Sequence, residues 1–352
     1  MKQPPSPNKE STAEINWNGI ENYLRSQNIV LDESPLEVQQ FSTGYSNLTY
    51  FIKIGEWKAV LRRPPFGPIP PKAHDMKREY EVLLKINQAF PLAPKPYLYC
   101  EDESIMKRHF YIMEKKDGVV IDESLPEKFE VNPLSRRVIS EAVVKTLTKL
   151  HDIDIRQAGL ETLGYPEGYL SRQVHGWIRR YQNTKTDEIA GVEELEKWLV
   201  NHIPVSPEPT VVHNDFKLNN MMFSAKLPIE VVGLFDWELS TIGDPLTDVA
   251  SMIAYWKEEG DPYTGITSIT KQTGFASRRE MLEMYARQSG RNVDQFDYYL
   301  TFAFYKIAGI LQQIYYRWKM GEAKDDRFAK LGEGAKNIMQ QAMRAQRKEF
   351  LR

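Results

Sequence analysis

The run His213-Asn214-Asp215-Phe216-Lys217-Leu218-Asn219-Asn220 carries the densest chemistry in the sequence. Thr210-Val211-Val212 ahead of it reads as a short buried strand, so the run is expected to leave a sheet as a tight loop. Asp215 and Asn220, five positions apart, can then face one point from opposite ends of that loop. The carboxylate can accept a hydroxyl proton while the amide oxygen ligates a hard cation. Twenty-one residues after Asp215, the apolar run Gly233-Leu234-Phe235 ends in Asp236, which would be held rigidly as a second oxygen ligand. Two hard-cation ligands and one unligated aspartate are the minimum set for moving a phosphoryl group from a Mg-nucleotide.

Such a set needs a scaffold. The 352 residues suit two lobes or domains better than one core. Hydrophobic residues at 41% and charged residues at 27% allow a buried core. With 46 basic against 48 acidic residues the formal charge is −2, which argues against a nucleic-acid partner. The single cysteine, Cys100, excludes an internal disulfide framework and a cysteine-rich metal site. No apolar run reaches membrane-spanning length, and the polar, Pro-rich Met1–Ser11 lacks a signal-peptide core, so no membrane contact and a cytoplasmic address are expected.

The pattern predicts a fold of α+β class. Residues 1–34 read as a solvated arm and a short helix with Ile15, Ile20, Tyr23 and Leu24 on one side. Residues 35–116 read as a lobe of five antiparallel strands (VQQFSTG, SNLTYFIKIG, WKAVLRR, PYLYCED, HFYIMEK) and one helix. That helix is expected to bury Met76, Tyr80, Leu83, Leu84 and Asn87. The Pro-rich run RRPPFGPIPPKAH between strands and helix must be a loop. Residues 117–352 read as a mainly helical lobe, with amphipathic Ser135–Leu150 and a long helix whose stripe Phe296, Tyr299, Phe302, Ile307, Ile310, Leu311 and Ile314 is core. Asp244 and Pro245 read as the N-cap and first residue of another helix, with Asp248 in its first turn.

Together HNDFKLNN, FDWE and GDPLTDVA resemble the aminoglycoside phosphotransferase family, small-molecule kinases on the protein-kinase-like fold. SNLTYFIKI, VLRRPPFGPIPPKAHDMKREYEVL and CEDESIMKRHFYIME resemble, in order and wording, the kinase-like domain fused to or encoded beside acyl-CoA dehydrogenases. The likeness runs from about Phe41 to Trp256 and more weakly beyond. It implies ATP or GTP as co-substrate, Mg²⁺ as cofactor, a small hydroxylated acceptor, and a functional link to an acyl-CoA dehydrogenase. The nucleotide is then expected between the lobes.

By that resemblance Asp215 orients or deprotonates the acceptor hydroxyl, Lys217 neutralises the transferring phosphoryl group, and Asn220 and Asp236 hold Mg²⁺. His213 locks the loop and Asp248 anchors its backbone. Glu238 reads equally as a metal contact or as a surface residue. In Ala59-Val60-Leu61-Arg62, Arg62 stands where protein kinases place lysine, with Glu79 as the best partner and Glu81 as its competitor. Ser46, in a loop with the one glycine Gly44, is expected at the phosphates. Met113 would wall the adenine, and backbone groups of Glu114 and Lys116 would pair with its edge while their side chains point to solvent.

The acceptor stays open at this level. A polycationic aminoglycoside would want acids such as Glu258, Glu259 and Asp261; a polyanionic hydroxyacyl-CoA would want Arg172, Trp177, Arg179 and Arg180. The resemblance to the dehydrogenase-associated group favours the second. Against a protein kinase stand the missing Ala-Pro-Glu segment and Asp-Trp-Glu in place of Asp-Phe-Gly. A catalytically silent nucleotide-binding module is the remaining alternative.

Overall fold

The structure, a computed structural model, describes residues 15–41, 47–65, 75–130, 132, 134–323 and 325–351. Ser46 and Gly44 lie outside the described residues, as does most of the Pro-rich run. The chain divides into two compact units. The first holds the chain up to Asp117 together with Gly233–Leu239; the second holds Gly118–Val232 and the chain from Ser240 onward. The segment Gly233–Leu239, which the sequence reading leaves with the helical lobe, thus packs with the first unit.

In the first unit five strands, β1 (Glu37–Gln40), β2 (Leu48–Ile54), β3 (Trp57–Arg63), β4 (Pro96–Cys100) and β5 (Phe110–Glu114), form one antiparallel sheet in the order β1-β2-β3-β5-β4. The expected strands are all present. Gly55 makes the β2–β3 turn at φ +55°, and a Cβ there would land on the Asp32 carboxylate. Side chains alternate across a strand, so one face of the sheet presents Tyr50, Ile52, Ile54, Ala59, Leu61, Phe110 and Ile112. These join Ile20 and Leu24 of helix α1 (Trp17–Ser26) in one hydrophobic cluster. The opposite face carries Arg62 and Tyr111, which are cross-strand partners on β3 and β5. Helix α2 (Met76–Ala89) lies against that face through Glu79 and Tyr80. It buries Met76, Glu79, Val82, Leu83 and Ile86, so the expected side is corrected: Leu84 is 44% exposed. The true stripe includes an acid, which a hydrophobicity pattern skips.

The second unit is mainly helical, with helices of ten residues or more at α3 (Ser135–His151), α4 (Tyr169–Thr184), α5 (Val192–Asn201), α6 (Pro245–Tyr255), α7 (Arg278–Ser289), α8 (Phe296–Lys319) and α9 (Leu331–Gln346). Short strands β6 (Val119–Val120), β8 (Met221–Phe223) and β9 (Val231–Leu234) form one sheet, and β7 (Thr210–Val212) pairs antiparallel with β10 (Thr241–Gly243). Phe296, Tyr299, Phe302, Ile307 and Leu311 of α8 are buried, as the stripe requires. Asp244 caps α6 by accepting the Leu246 N–H at 2.9 Å, with Pro245 first in the helix. No helix among the described residues is long and apolar enough to cross a membrane.

Candidate active site

The first unit supplies a buried charge cluster. Arg62, 8% exposed on β3, bonds Glu79 of α2 at 3.1 Å and also the Asp236 carboxylate. Its planar fork suits two carboxylates at once, which a point-charge lysine does not. Burial works against the guanidinium charge, but Glu79 and Asp236 outweigh it and hold the proton more firmly than usual. Burial pushes Glu79 up to about 7 despite Arg62, and the nearby charges of Asp236 and Glu238 add to the rise. Glu238 is half-buried beside this cluster, with its Oε2 out of solvent. Burial and then Glu79 raise the Tyr111 phenol.

Asp236 follows β9 at φ 72°, a left-handed position that aspartate tolerates better than most residues. The turn is fixed on both sides. The Trp237 indole N–H donates to the Leu234 carbonyl at 2.8 Å, and its ring packs edge-on to Phe90 at 5.8 Å. Arg78, beside Glu79 on α2, donates Nε–H to the Glu238 carbonyl at 3.1 Å. One helix thus sets both the partner of Arg62 and the turn that presents Asp236.

At the end of β5, Met113 is buried at 5% exposure. The Glu114 N–H is committed to the Lys95 carbonyl at 2.7 Å, so that donor is not open to a base edge. Lys116 does not extend to solvent as expected. Its ammonium donates to the Pro91 carbonyl at 2.8 Å and pairs with Glu114 at 2.9 Å, leaving the side chain 14% exposed.

The second unit holds the loop after β7. Asp248 of α6, fully buried, accepts the N–H of His213 at 2.5 Å and of Asn214 at 2.7 Å, one on each oxygen. His151, at the end of α3, places Nε2 3.6 Å from the same carboxylate and shares a 2.8 Å hydrogen bond through Nδ1 with the Tyr285 hydroxyl. Burial pushes Asp248 up, yet His151, His213 and the loop N–H outweigh it and hold the carboxyl below its usual range. Burial lowers the hold of His151 on its proton, against Asp248. Asn214 sits at φ 65°, its side chain accepting from Tyr169 at 2.6 Å and its carbonyl from Lys306 at 3.0 Å. The buried His213 ring accepts the Asp215 N–H at 3.3 Å.

These anchors bring Asp215, Lys217 and Asn220 together. Asp215 Oδ2 accepts from Lys217 Nζ and from Asn220 Nδ2, each at 2.8 Å. The same amide nitrogen donates to the Asp215 carbonyl at 2.9 Å, which fixes the amide orientation because a carbonyl only accepts. Asn220 Oδ1, the acceptor of that amide, is the atom that could ligate a cation. Lys217 lies 5.6 Å from the centre of the Tyr255 ring, and burial followed by Asp215 pushes that phenol up to about 12.

An amide oxygen and a carboxylate, with no thiol beside them, are the donors a hard ion such as Mg²⁺ takes. No cluster of three or more His, Cys, Asp or Glu side chains among the described residues forms a complete metal cage.

The acceptor candidates separate. Arg172 is spent on the carbonyls of Tyr165 and Glu167 at the start of α4. Trp177 is half-buried, with the Arg180 guanidinium 4.8 Å and the Lys306 ammonium 5.8 Å from its ring. Glu258 accepts the Arg278 N–H at 2.7 Å, and Asp261 pairs with the buried Arg278 guanidinium, so two acids of the expected wall share one arginine, while Glu259 is exposed. His151, Lys306, Tyr111 and Tyr169 are site residues that the sequence reading missed. Two of them carried a signal. His151 continues the stripe Val143–Leu147, and Lys306 continues Tyr299–Phe302, so each is a polar residue at a core position.

Residues 37–296 match the model of the phosphotransferase enzyme family, known as APH. The chain belongs to that family. Acyl-CoA dehydrogenase family member 11 of Rattus norvegicus is 37% identical over 301 residues, which are 83% of this chain and 38% of that protein. The chain spans less than half the length of the curated relatives it matches. A solved Ralstonia eutropha JMP134 protein assigned to the aminoglycoside phosphotransferases superposes with a TM-score of 0.80 at 30% identity, covering 94% of this chain and 98% of that one. The aminoglycoside phosphotransferase APH(4)-Ia, in its ternary complex with ADP and hygromycin B, gives a TM-score of 0.60 at 15% identity over 93% and 98% of the chains, a likeness of fold. The protein is therefore a phosphotransferase with the two-part kinase-like fold.

Proposed function

We propose that this phosphotransferase is a small-molecule kinase that moves the γ-phosphoryl group of Mg-ATP or Mg-GTP to a hydroxyl of a metabolite, a hydroxyacyl-CoA. The observation that carries it is the loop cluster in which Asp215 is oriented by Lys217 and Asn220 at 2.8 Å and the backbone is tied down by Asp248. Residues 35–116 are taken as the nucleotide lobe and 117–352 as the catalytic lobe. Asn220 and Asp236 would hold Mg²⁺, which when bound neutralises phosphate charge. Arg62, held by Glu79, supplies a fixed cation for nucleotide phosphates, and Met113 an apolar wall for the base. Asp215 receives the acceptor hydroxyl and takes its proton, while Lys217 moves from Asp215 to the transferring group. Because the transition state is loose, positioning and charge stabilisation do most of the work.

The dehydrogenase names of the relatives favour an anionic acyl-CoA acceptor over an aminoglycoside. The test is a screen for ATP consumption with hydroxyacyl-CoAs and aminoglycosides. Transfer confined to the CoA esters is the expected result, and transfer confined to aminoglycosides overturns the acceptor assignment.

A further inference from the structure

Lys306 has no part in the phosphate chemistry above. It lies half-buried on α8, at a position where the helix otherwise buries Tyr299, Phe302 and Ala303. A lysine set among core positions costs desolvation and so calls for a reason. Its ammonium has three donors, and among the described residues one hydrogen bond is seen, to the carbonyl of Asn214, next to Asp215. It stands 5.8 Å from the centre of the Trp177 ring, which also carries the Arg180 guanidinium at 4.8 Å. Beside it is a cavity of about 10 Å³ whose lining includes Gln173, Thr247 and Ser251 as well as the apolar Phe302 and Ala303, just enough for about one water-sized species.

Charges of both signs surround this point. Asp215 is already paired with Lys217, and Asp248 is turned inward onto the loop N–H groups. Burial is the main cause that lowers the hold of Lys306 on its proton, Asp215 and Asp248 work against it, and Lys217 and Arg180 add to it. An anionic oxygen here could take up the remaining Lys306 donors with Arg180 close by, whereas an ammonium would meet two cations at Trp177.

We propose that Lys306, with Arg180 stacked on Trp177, is the specificity-determining cation of the acceptor site, binding an anionic oxygen of the acceptor and excluding polycationic acceptors. The assignment rests on the kinase reading above. Its test uses the full chain and the variants Lys306→Met and Lys306→Arg, each checked for an unchanged melting temperature. Equilibrium binding of 3-hydroxybutyrate, 3-hydroxybutyryl-CoA and kanamycin is measured in the presence of Mg²⁺ and a non-hydrolysable ATP analogue, with turnover measured in parallel. The parent should bind at least one of the two anions and prefer it to kanamycin; which one binds tells whether a carboxylate or a CoA phosphate is read. Lys306→Met should weaken that binding at least tenfold, appearing in KM more than in kcat, and Lys306→Arg should restore it to within about threefold. A merely structural lysine would lower kcat for all acceptors alike and leave their relative KM unchanged, which overturns the assignment. So does a parent that binds neither anion, or one that prefers kanamycin. A parent that binds the anion through Lys306 yet transfers no phosphate upholds the assignment and sinks the kinase reading.

Discussion

Replacing Asp248 by asparagine should loosen the loop that carries Asp215. Each Asp248 oxygen accepts one main-chain N–H, at 2.5 Å from His213 and 2.7 Å from Asn214. Hydrogen bonds to a buried charge contribute about 1.5–3 kcal/mol each. Asparagine keeps one oxygen and turns an N–H₂ group toward the other donor, so one bond is lost outright and two donors oppose each other. The expected loss is about 2–4 kcal/mol. A chain of 352 residues has an unfolding entropy near 0.7 kcal/mol/K, so the melting temperature should fall by about 3–6 °C. A loop displaced by a fraction of an ångström to an ångström should also slow phosphoryl transfer by about 10–10²-fold. Calorimetric melting and single-turnover transfer, run at least 15 °C below the variant's melting point, separate the two effects. A melting temperature within 1 °C of the parent, with a rate within twofold, would show that Asp248 only begins its helix.

Arg62→Met should destabilise the protein by about 3–5 kcal/mol in chemical denaturation, because it strands the buried Glu79. The double variant Arg62→Met with Glu79→Leu should recover most of that loss, and no recovery would mean that the pair is not coupled. Asp236→Ala should abolish Mg²⁺-dependent nucleotide binding, and unchanged binding at limiting Mg²⁺ would remove Asp236 from the metal. Burial lowers His151, so below about pH 6.5 the unfolded chain takes up a proton that the folded one refuses, and stability falls as pH falls. His151→Gln should flatten the melting-temperature profile between about pH 7 and 5, and a slope equal to the parent's refutes this account. The Asp248 carboxyl, held below its usual range, adds a further loss only at more acid pH, as its folded value is passed.

The sheet of the first unit was legible because its strands alternate and are punctuated by glycine and proline, and all five pair antiparallel as read. Asp215, Lys217 and Asn220 were legible because their spacing is local, and so was the capping set Asp244, Pro245 and Asp248. Other features depend on distant partners. Nothing local says that Arg62 meets Asp236, 174 residues away, or that Lys306 meets Asn214, 92 residues away. The three-residue strand Met221–Phe223 is too short to show a period. His151 and Lys306 share one cause of oversight, a polar side chain at a core position of an amphipathic helix, and for the same reason the reading that pairs Glu79 with Arg62 leaves it off the buried side of its helix. A stripe read by hydrophobicity alone drops such residues, and it promoted the exposed Leu84 in place of Glu79.

The central claim is that Asp215 acts on an acceptor hydroxyl while other residues hold the nucleotide. Asp215→Asn is close to isosteric and keeps an oxygen for Asn220 Nδ2, now 2.8 Å from Oδ2. The decisive measurement is single-turnover transfer of the γ-phosphoryl group by the parent and this variant, with nucleotide affinity and melting temperature taken on the same samples. The expected result is affinity within about threefold, a melting temperature nearly unchanged, and a rate lower by roughly 10²–10⁴. A rate within about threefold of the parent would contradict the account.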